Sequence, residues 1–476
     1  MNTEKVLSFF SEIARIPRES GHEEKIVEYL REFAKKRSLD CKVDKLGNVI
    51  ISKPASKGYE DRPKVILQGH TDMVCEKAPG SKFDFAKDAI KYEIVDGWMI
   101  AKETTLGADN GIGVATALSI LDSDTIEHPA LECLFTVSEE TGLDGARGLS
   151  KNALTGKFLI NMDDEDEGCF CIGCAGGVDT VAKFTFKMKK VSDSAVFTRF
   201  SISGGRGGHS GDDIDKNRMN AVQQIARFIE KAFAFGVDVC MIDGGGKRNA
   251  IAREAEVVLA IPARKEDDVV ALFNNFAADL KNEFANTDPD VRFSAEPVVW
   301  KGGAMDSRTA HNLVYALLAV PHGVTAMDLD MPGLIQTSTN LASVKQKGNV
   351  VSVGTMQRSS VDSEKDFIQQ RVAATFKLAG AEIAPSDGYC GWKPNVKSPL
   401  KDICVAAYRK LFNKEPIVHA IHGGLECGLF TQKFPDIDMI AFGPTIVGPH
   451  APGEKLDLAS LDRFYSVLLE VLKSIR

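Results

Sequence analysis

Five short segments hold the residues of this chain best suited to chemistry: Gln68-Gly-His70-Thr-Asp72, Thr105-Leu-Gly-Ala-Asp109-Asn110-Gly-Ile-Gly113, Ser138-Glu139-Glu140-Thr-Gly142, Asn161-Met-Asp163-Asp164 and Gly443-Pro-Thr-Ile-Val-Gly-Pro-His450. Imidazole and carboxylate are natural ligands for a zinc-like divalent ion, and a catalytic ion keeps one position open for water. Two such ions, roughly 3.5–4 Å apart, need a carboxylate that bridges them. His70, Asp109, Glu140, Asp163 and His450 supply two histidines, one candidate bridge and two terminal carboxylates. Asp72 lies two residues from His70, on the same side of an extended chain. It can accept the second imidazole N–H and fix the tautomer. Glu139 and Glu140 are adjacent and point apart in extended chain. One can hold metal while the other stays free as a general base.

Each segment has a bland reading. His-x-Asp is common by chance, a Glu-Glu pair usually lies on a solvated face, and Gly-x-Asp-Asn-Gly-x-Gly can be only a turn with a helix cap. Their joint occurrence argues against that, because each follows an apolar run of strand length. Ligands in open α/β sheets gather beyond the carboxyl ends of strands.

The elements that position them alternate over residues 1–186. Ser20-Gly-His-Glu23 reads as a capping box opening a helix with Ile26, Val27, Leu30, Phe33 and Ala34 on one face. Residues 45–48 read as a hairpin turn. Residues 64–68, 131–137 and 158–162 read as buried strands, and 110–121 as a helix. From 187 to 389 the rhythm changes to an α+β insert, too large for a loop. It has strands at 196–203, 238–242, 255–261, 291–299 and 350–355, and helices at 219–235, 265–285, 307–319 and 362–379. Alternation resumes over 390–476. The expected architecture is therefore a three-layer α/β/α domain, split in sequence, with an inserted α+β lid.

The chain has 476 residues, 44% apolar and 26% charged, which suits a globular protein of two or three domains. A net charge of −8 and the lack of a basic stripe argue against nucleic acid or anionic membrane as a partner. No run reaches the ~18 apolar residues of a membrane span. Residues 1–14 read as an amphipathic helix, not a signal peptide, which makes the cytoplasm the expected compartment. The ten cysteines are widely spread, and Cys169, Cys171 and Cys174 read as buried reduced thiols rather than a structural zinc site.

In this order, and with Gly208-His209-Ser-Gly211 added, the motifs resemble the dizinc exopeptidases with a catalytic sheet and an inserted lid. Residues 104–113, 173–177, 248–251 and 423–430 are similar to the dipeptidase branch of that family, whose substrates include Xaa-His. The resemblance spans the chain and implies two Zn2+ ions, with Co2+ or Mn2+ as substitutes. Asp109 would bridge, His70 and Asp163 would complete one site, and Glu140 and His450 the other. Glu139 would be the general base, with Asp72 supporting His70. The Asp109–Asn110 peptide is cis in relatives. The lid is expected to be ferredoxin-like; its length, roughly twice one simple unit of that kind, leaves a duplication open. Its His209 would hold the scissile carbonyl oxygen, with glycine neighbours that let the loop approach a ligand. Arg358 could grip a substrate carboxylate, with Asn249 and Glu426 as weaker substrate contacts. Relatives often have proline where this chain has Ala252. A homodimer is implied, with His209 acting in its own chain or across the dimer. Rival readings on the same motifs are an N-acyl-amino-acid amidohydrolase, a tripeptidase, or a binding protein that has lost activity.

Overall fold

The computed structural model describes residues 3–384, 386 and 388–476. The chain forms two compact units. One comprises Met1–Cys174, Trp392–Ala420 and Leu425–Arg476; the other comprises Ala175–Gly391 and Ile421–Gly424.

The first unit is built on an eight-stranded mixed sheet. Its order is Asp40–Val43, Val49–Lys53, Leu131–Thr136, Val65–His70, Phe158–Asn161, Asp438–Ala441, Cys169–Cys174 and Ile417–Ile421. The four central strands, from Leu131–Thr136 to Asp438–Ala441, are mutually parallel. They read as continuous apolar runs because a central parallel strand is covered on both faces. Every residue of Val65–His70, Leu131–Thr136 and Phe158–Asn161 is buried. The helix Ala108–Asp122 packs on Val65–His70, and the helices Pro399–Phe412 and Leu458–Ser474 pack on each other. Parallel pairing brings four carboxyl ends to one edge: one strand ends at His70, and two others are followed within three residues by Glu139 and Asp163.

The capping box at residues 20–23 does not form. The helix Glu24–Lys36 has no side-chain cap, although its buried face is Ile26, Leu30, Phe33 and Ala34. Ser20 Oγ instead donates to Asp72 Oδ2 at 2.8 Å, and Glu23 Oε1 accepts from Ser138 N and Oγ at 2.8 and 2.9 Å. Both side chains hold loops of the candidate metal site, a tertiary use that outweighs a local cap.

Among the described residues, the second unit holds a nine-stranded antiparallel sheet, a two-stranded ribbon of Met188–Lys189 with Ala304–Met305, and four α-helices. Its first half runs strand Ala195–Ser203, helix Ala221–Ala232, strands Asp238–Gly245 and Ala255–Pro262, helix Glu266–Glu283, strand Arg292–Pro297. These strands stand in spatial order four-one-three-two, which is ferredoxin-like. The second half repeats that order with Gly176–Thr185, Ile335–Lys347, Val350–Ser359 and Glu382–Ala384, using helices Ser307–Ala319 and Asp362–Leu378. The halves join where Asp238–Gly245 pairs with Ile335–Lys347, and Gly323–Met327 pairs beside it. One apolar core, including Phe184, Phe200, Phe228, Phe273 and Phe376, runs through both. The first strand of the second half therefore precedes the whole first half in sequence. This is why the unit begins at Ala175 and not at 187: Gly176–Thr185 pairs with Val350–Ser359 over its full length.

The strand Ile335–Lys347 escapes a hydrophobic reading. Its buried centre is Thr337, Ser338, Thr339 and Asn340. Their polar groups pair within the unit: Asn340 Nδ2 donates to the carbonyls of Arg248 and Ala250 at 3.1 and 2.8 Å, and Ser338 Oγ lies 2.7 Å from His422 Nε2.

Candidate metal centre

Asp109 faces two histidines with separate oxygens. Its Oδ1 lies 3.0 Å from His70 Nε2, and its Oδ2 lies 3.0 Å from His450 Nε2. Asp163 Oδ1 is 3.4 Å from His70 Nε2, while Glu140 Oε2 is 2.9 Å from His450 Nε2. The five candidates thus divide into His70–Asp163 and His450–Glu140, with Asp109 common to both. A tetrahedral ion with bonds of about 2.0–2.1 Å has ligand-to-ligand edges of about 3.3 Å, so these separations fit metal ligands. The four carboxylates Asp109, Glu139, Glu140 and Asp163 also give the centre the negative charge that divalent cations would match.

Electrostatics follow from burial and crowding. His70 is fully buried, which opposes its charge, yet Asp163, Asp109 and Asp72 together raise its pKa well above the usual value. Hydrogen bonds to Asp109 and Glu140 raise His450 to about 11. Burial lifts Asp163 to about 7 against the pull of His70. Burial also raises Glu139, with Asp163, Glu426 and Glu140 adding to it against His70. Asp72 is buried too, but His70, Ser20 and the Glu139 N–H hold it down to about 2.

Asp72 does more than its spacing suggests. The Nδ1 of His70 is 3.1 Å from the Asp72 carbonyl and 3.3 Å from its carboxylate, so the hydrogen bond geometry favours the backbone oxygen. The carboxylate instead accepts the N–H groups of Glu139 and Glu140 at 3.0 and 3.2 Å. The Glu139–Glu140 pair is not extended, contrary to the sequence expectation. Ser138 takes a positive φ of 51°, and Glu139–Gly142 forms one helical turn. Successive helical residues are still about 100° apart, so the two glutamates diverge all the same.

Arg18 and Glu454, which sequence reasoning missed, and Asn110, quoted in the motif but given no role there, hold the Asp109 loop. Buried Arg18 donates to the carbonyls of Thr71, Asp72 and Gly107 at 3.1, 2.9 and 2.5 Å. Buried Glu454 accepts the N–H groups of Leu106, Gly107, Ala108 and Asp109 at 2.7–3.3 Å. Asn110 Nδ2 donates to the Met162 carbonyl at 2.6 Å, tying this loop to the one bearing Asp163. The glycines make room for these side chains. A Cβ on Gly107 would lie 2.3 Å from Arg18, and one on Gly113 would lie 2.3 Å from Asn110 Oδ1. The Asp109–Asn110 peptide is cis. No local pattern marks Arg18 or Glu454, since a buried charge shows itself only by its partners.

Glu426, expected from the sequence to contact substrate, lies in the interior. It is fully buried, accepting from Gln68 Nε2 at 2.6 Å and Thr136 Oγ1 at 2.7 Å, with burial raising it to about 7. It cannot touch a substrate there; it braces the strands that end in His70 and Thr136.

In the second unit, His209 Nδ1 lies 2.9 Å from Asp212 Oδ2, and its Nε2 lies 3.4 Å from Arg358 Nη2. Arg358 is 3% exposed and donates to Tyr389 Oη at 3.0 Å and Ser210 Oγ at 3.3 Å. The Asn249 carbonyl accepts Ser210 N–H at 2.8 Å while its side chain stays exposed. His209 and Asn249 line a pocket of about 580 Å³ with Gly208, Gly245 and Arg253. Packing also requires glycine in this loop: a Cβ on Gly208 would meet Arg218 and Asp213 at 2.2 and 2.4 Å. Ala252 supports the loop through its carbonyl, which accepts Ala221 N–H at 2.8 Å. His422, also missed, lies 2.7 Å from Ser338 Oγ through Nε2, and burial lowers it to about 3.

Histidines and carboxylates gathered at the carboxyl edge of an open sheet, with a spare glutamate beside them, define the centre of a metal-dependent hydrolase. The chain belongs to peptidase family M20/M25/M40, matching it over residues 66–474. It is 38% identical over 477 aligned positions to the cytosol non-specific dipeptidase of Escherichia coli K12, covering 100% of this chain and 98% of that one. It also matches the crystal structure of aminoacylhistidine dipeptidase from Vibrio alginolyticus, with a TM-score of 0.92, 36% identity and coverage of 100% and 98%. A tripeptidase structure from Staphylococcus aureus shares the fold at a TM-score of 0.58 and 18% identity, covering 100% of this chain and 99% of that one.

Proposed function

We propose that this protein is a metal-dependent dipeptidase that hydrolyses dipeptides with a free N-terminus, Xaa-His among them. The observation that carries the reading is Asp109, whose two oxygens face two separate ligand sets at 3.0 Å each. His70, Asp109 and Asp163 would hold one Zn2+, and Asp109, Glu140 and His450 another, with Co2+ or Mn2+ able to substitute. When bound, such ions acidify water and polarise a peptide carbonyl. Support for dipeptides comes from the two full-length relatives, both named dipeptidases.

Glu139 acts as general base. Its backbone is fixed by Asp72, and burial makes it more basic than an exposed glutamate. It takes the proton of the attacking water and returns it to the leaving amine. Asp72 holds the His70 loop and the glutamate turn in register. From the second unit, His209 donates to the carbonyl oxygen as charge develops, oriented through Asp212. Arg358 and Asn249 bind the remainder of the substrate. The protein works in the cytoplasm, a reading that draws on the cytosolic relative, and as a homodimer, a reading that draws on the family resemblance alone. No helix among the described residues is long and apolar enough to cross a membrane.

A panel of dipeptides, a tripeptide and N-acyl amino acids tests this, with metal content measured on the same sample. Hydrolysis of dipeptides that requires the free amine is expected. Preference for N-acyl amino acids or tripeptides would replace the substrate class, and a chain binding little metal would be a non-catalytic protein.

A further inference from the structure

A second cluster of ligand-type side chains lies in the first unit and shares no residue with the metal centre. Asp164 follows the strand Phe158–Asn161, Cys171 sits within Cys169–Cys174, and His419 sits within Ile417–Ile421, the neighbouring strand. One ligand atom from each lies within 4.8 Å of the others. Asp164 Oδ2 is 3.2 Å from His419 Nε2. Asp164 and Cys171 lie seven residues apart and His419 far along the chain, so no motif announces the three together.

The surroundings set the donors in place. Asp164 Oδ1 accepts Asp166 N–H at 3.1 Å, which turns Oδ2 toward the histidine. The Asp164 backbone is fixed against Gly443, where a Cβ would lie 1.9 Å from the Asp164 carbonyl. Cys171 is wholly buried, and its thiol donates to the Gly173 carbonyl at 3.2 Å. His419 is 29% exposed and gives the cluster its side toward water.

One sulfur, one imidazole nitrogen and one carboxylate oxygen form a borderline-soft donor set. It suits Zn2+ or Co2+ and is poor for Mg2+ or Ca2+, which prefer oxygen alone. We propose that Asp164, Cys171 and His419 bind a zinc-type cation, with solvent or a small ligand completing the shell on the His419 side. Binding converts the thiol to a thiolate and releases its proton. Asp164 adjoins Asp163, so an ion here also steadies the loop that carries a ligand of the peptidase centre.

The test uses the whole, reduced, metal-free chain titrated with Co2+. The peptidase centre offers only nitrogen and oxygen, so a near-ultraviolet thiolate-to-cobalt absorption reports the new site alone, whether or not the peptidase reading holds. The band should appear, vanish on addition of Zn2+, and be lost in Cys171→Ser while surviving in Cys169→Ser. His419→Gln should shift its appearance to higher cobalt concentration. Absence of the band in the wild-type chain at saturating Co2+ overturns the proposal without recourse to any variant. Its persistence in folded Cys171→Ser does so as well.

Discussion

Glu139 and Glu140 are neighbours with different surroundings, and their substitution separates base from ligand. Both oxygens of Glu140 lie within 3.0 Å of His450 Nε2. Glu139→Gln is expected to keep the metal content and lose about 10²–10⁴ in kcat. Glu140→Gln should instead lose metal, measured by elemental analysis after dialysis. Equal metal loss in both would mean the roles are exchanged. Protons compete for the same ligands. With Asp163 raised to about 7 and His450 to about 11, the metal-free centre carries protons at neutral pH that an ion must displace. Apparent zinc affinity should therefore fall as pH drops through about 7. Zinc added to the metal-free protein in weak buffer should acidify it; a titration with no proton release would contradict this charge state.

At the scale of elements, the loop of residues 105–113 is a small apparatus of its own. Arg18 and Glu454 hold its backbone, and Asn110 anchors it beneath the sheet edge. Its glycines are the places where any side chain would collide. Gly113→Ala puts a methyl 2.3 Å from Asn110 Oδ1, an overpacking that should cost about 1–3 kcal/mol in urea unfolding. Gly246→Ala meets nothing within 4 Å and is the control, expected within about 0.5 kcal/mol of the parent. If the two variants unfold alike, the close packing around Asn110 is not what the loop requires.

For the molecule as a whole, the candidate metal ligands belong to one compact unit and His209 to the other. His209→Ala is therefore expected to leave metal content and folding unchanged. If His209 donates to the developing oxyanion, kcat should fall about 10²–10³-fold. A change confined to KM would restrict it to substrate binding, and unchanged kinetics would remove it from the reaction. Mixing an impaired His209→Ala chain with Glu139→Gln asks which chain supplies the histidine. Recovered activity after subunit exchange would show that a neighbouring subunit does, and its absence would keep His209 with its own base.

The candidate donors, the parallel strands beneath them and most helices were legible in the sequence, because strand-length apolar runs and chemically distinctive residues are local signals. Family resemblance also pointed to the ferredoxin-like character of the lid. Tertiary structure alone decided which oxygens of Asp109 face which histidine, that Ser20 and Glu23 serve loops rather than a helix cap, and that Glu426 is buried. It also revealed Arg18, Glu454 and the Asp164–Cys171–His419 cluster, as well as a lid whose first strand lies at Gly176–Thr185. Each of these depends on partners tens or hundreds of residues away. A polar side chain buried against such a partner looks, in sequence, like any polar residue on a surface.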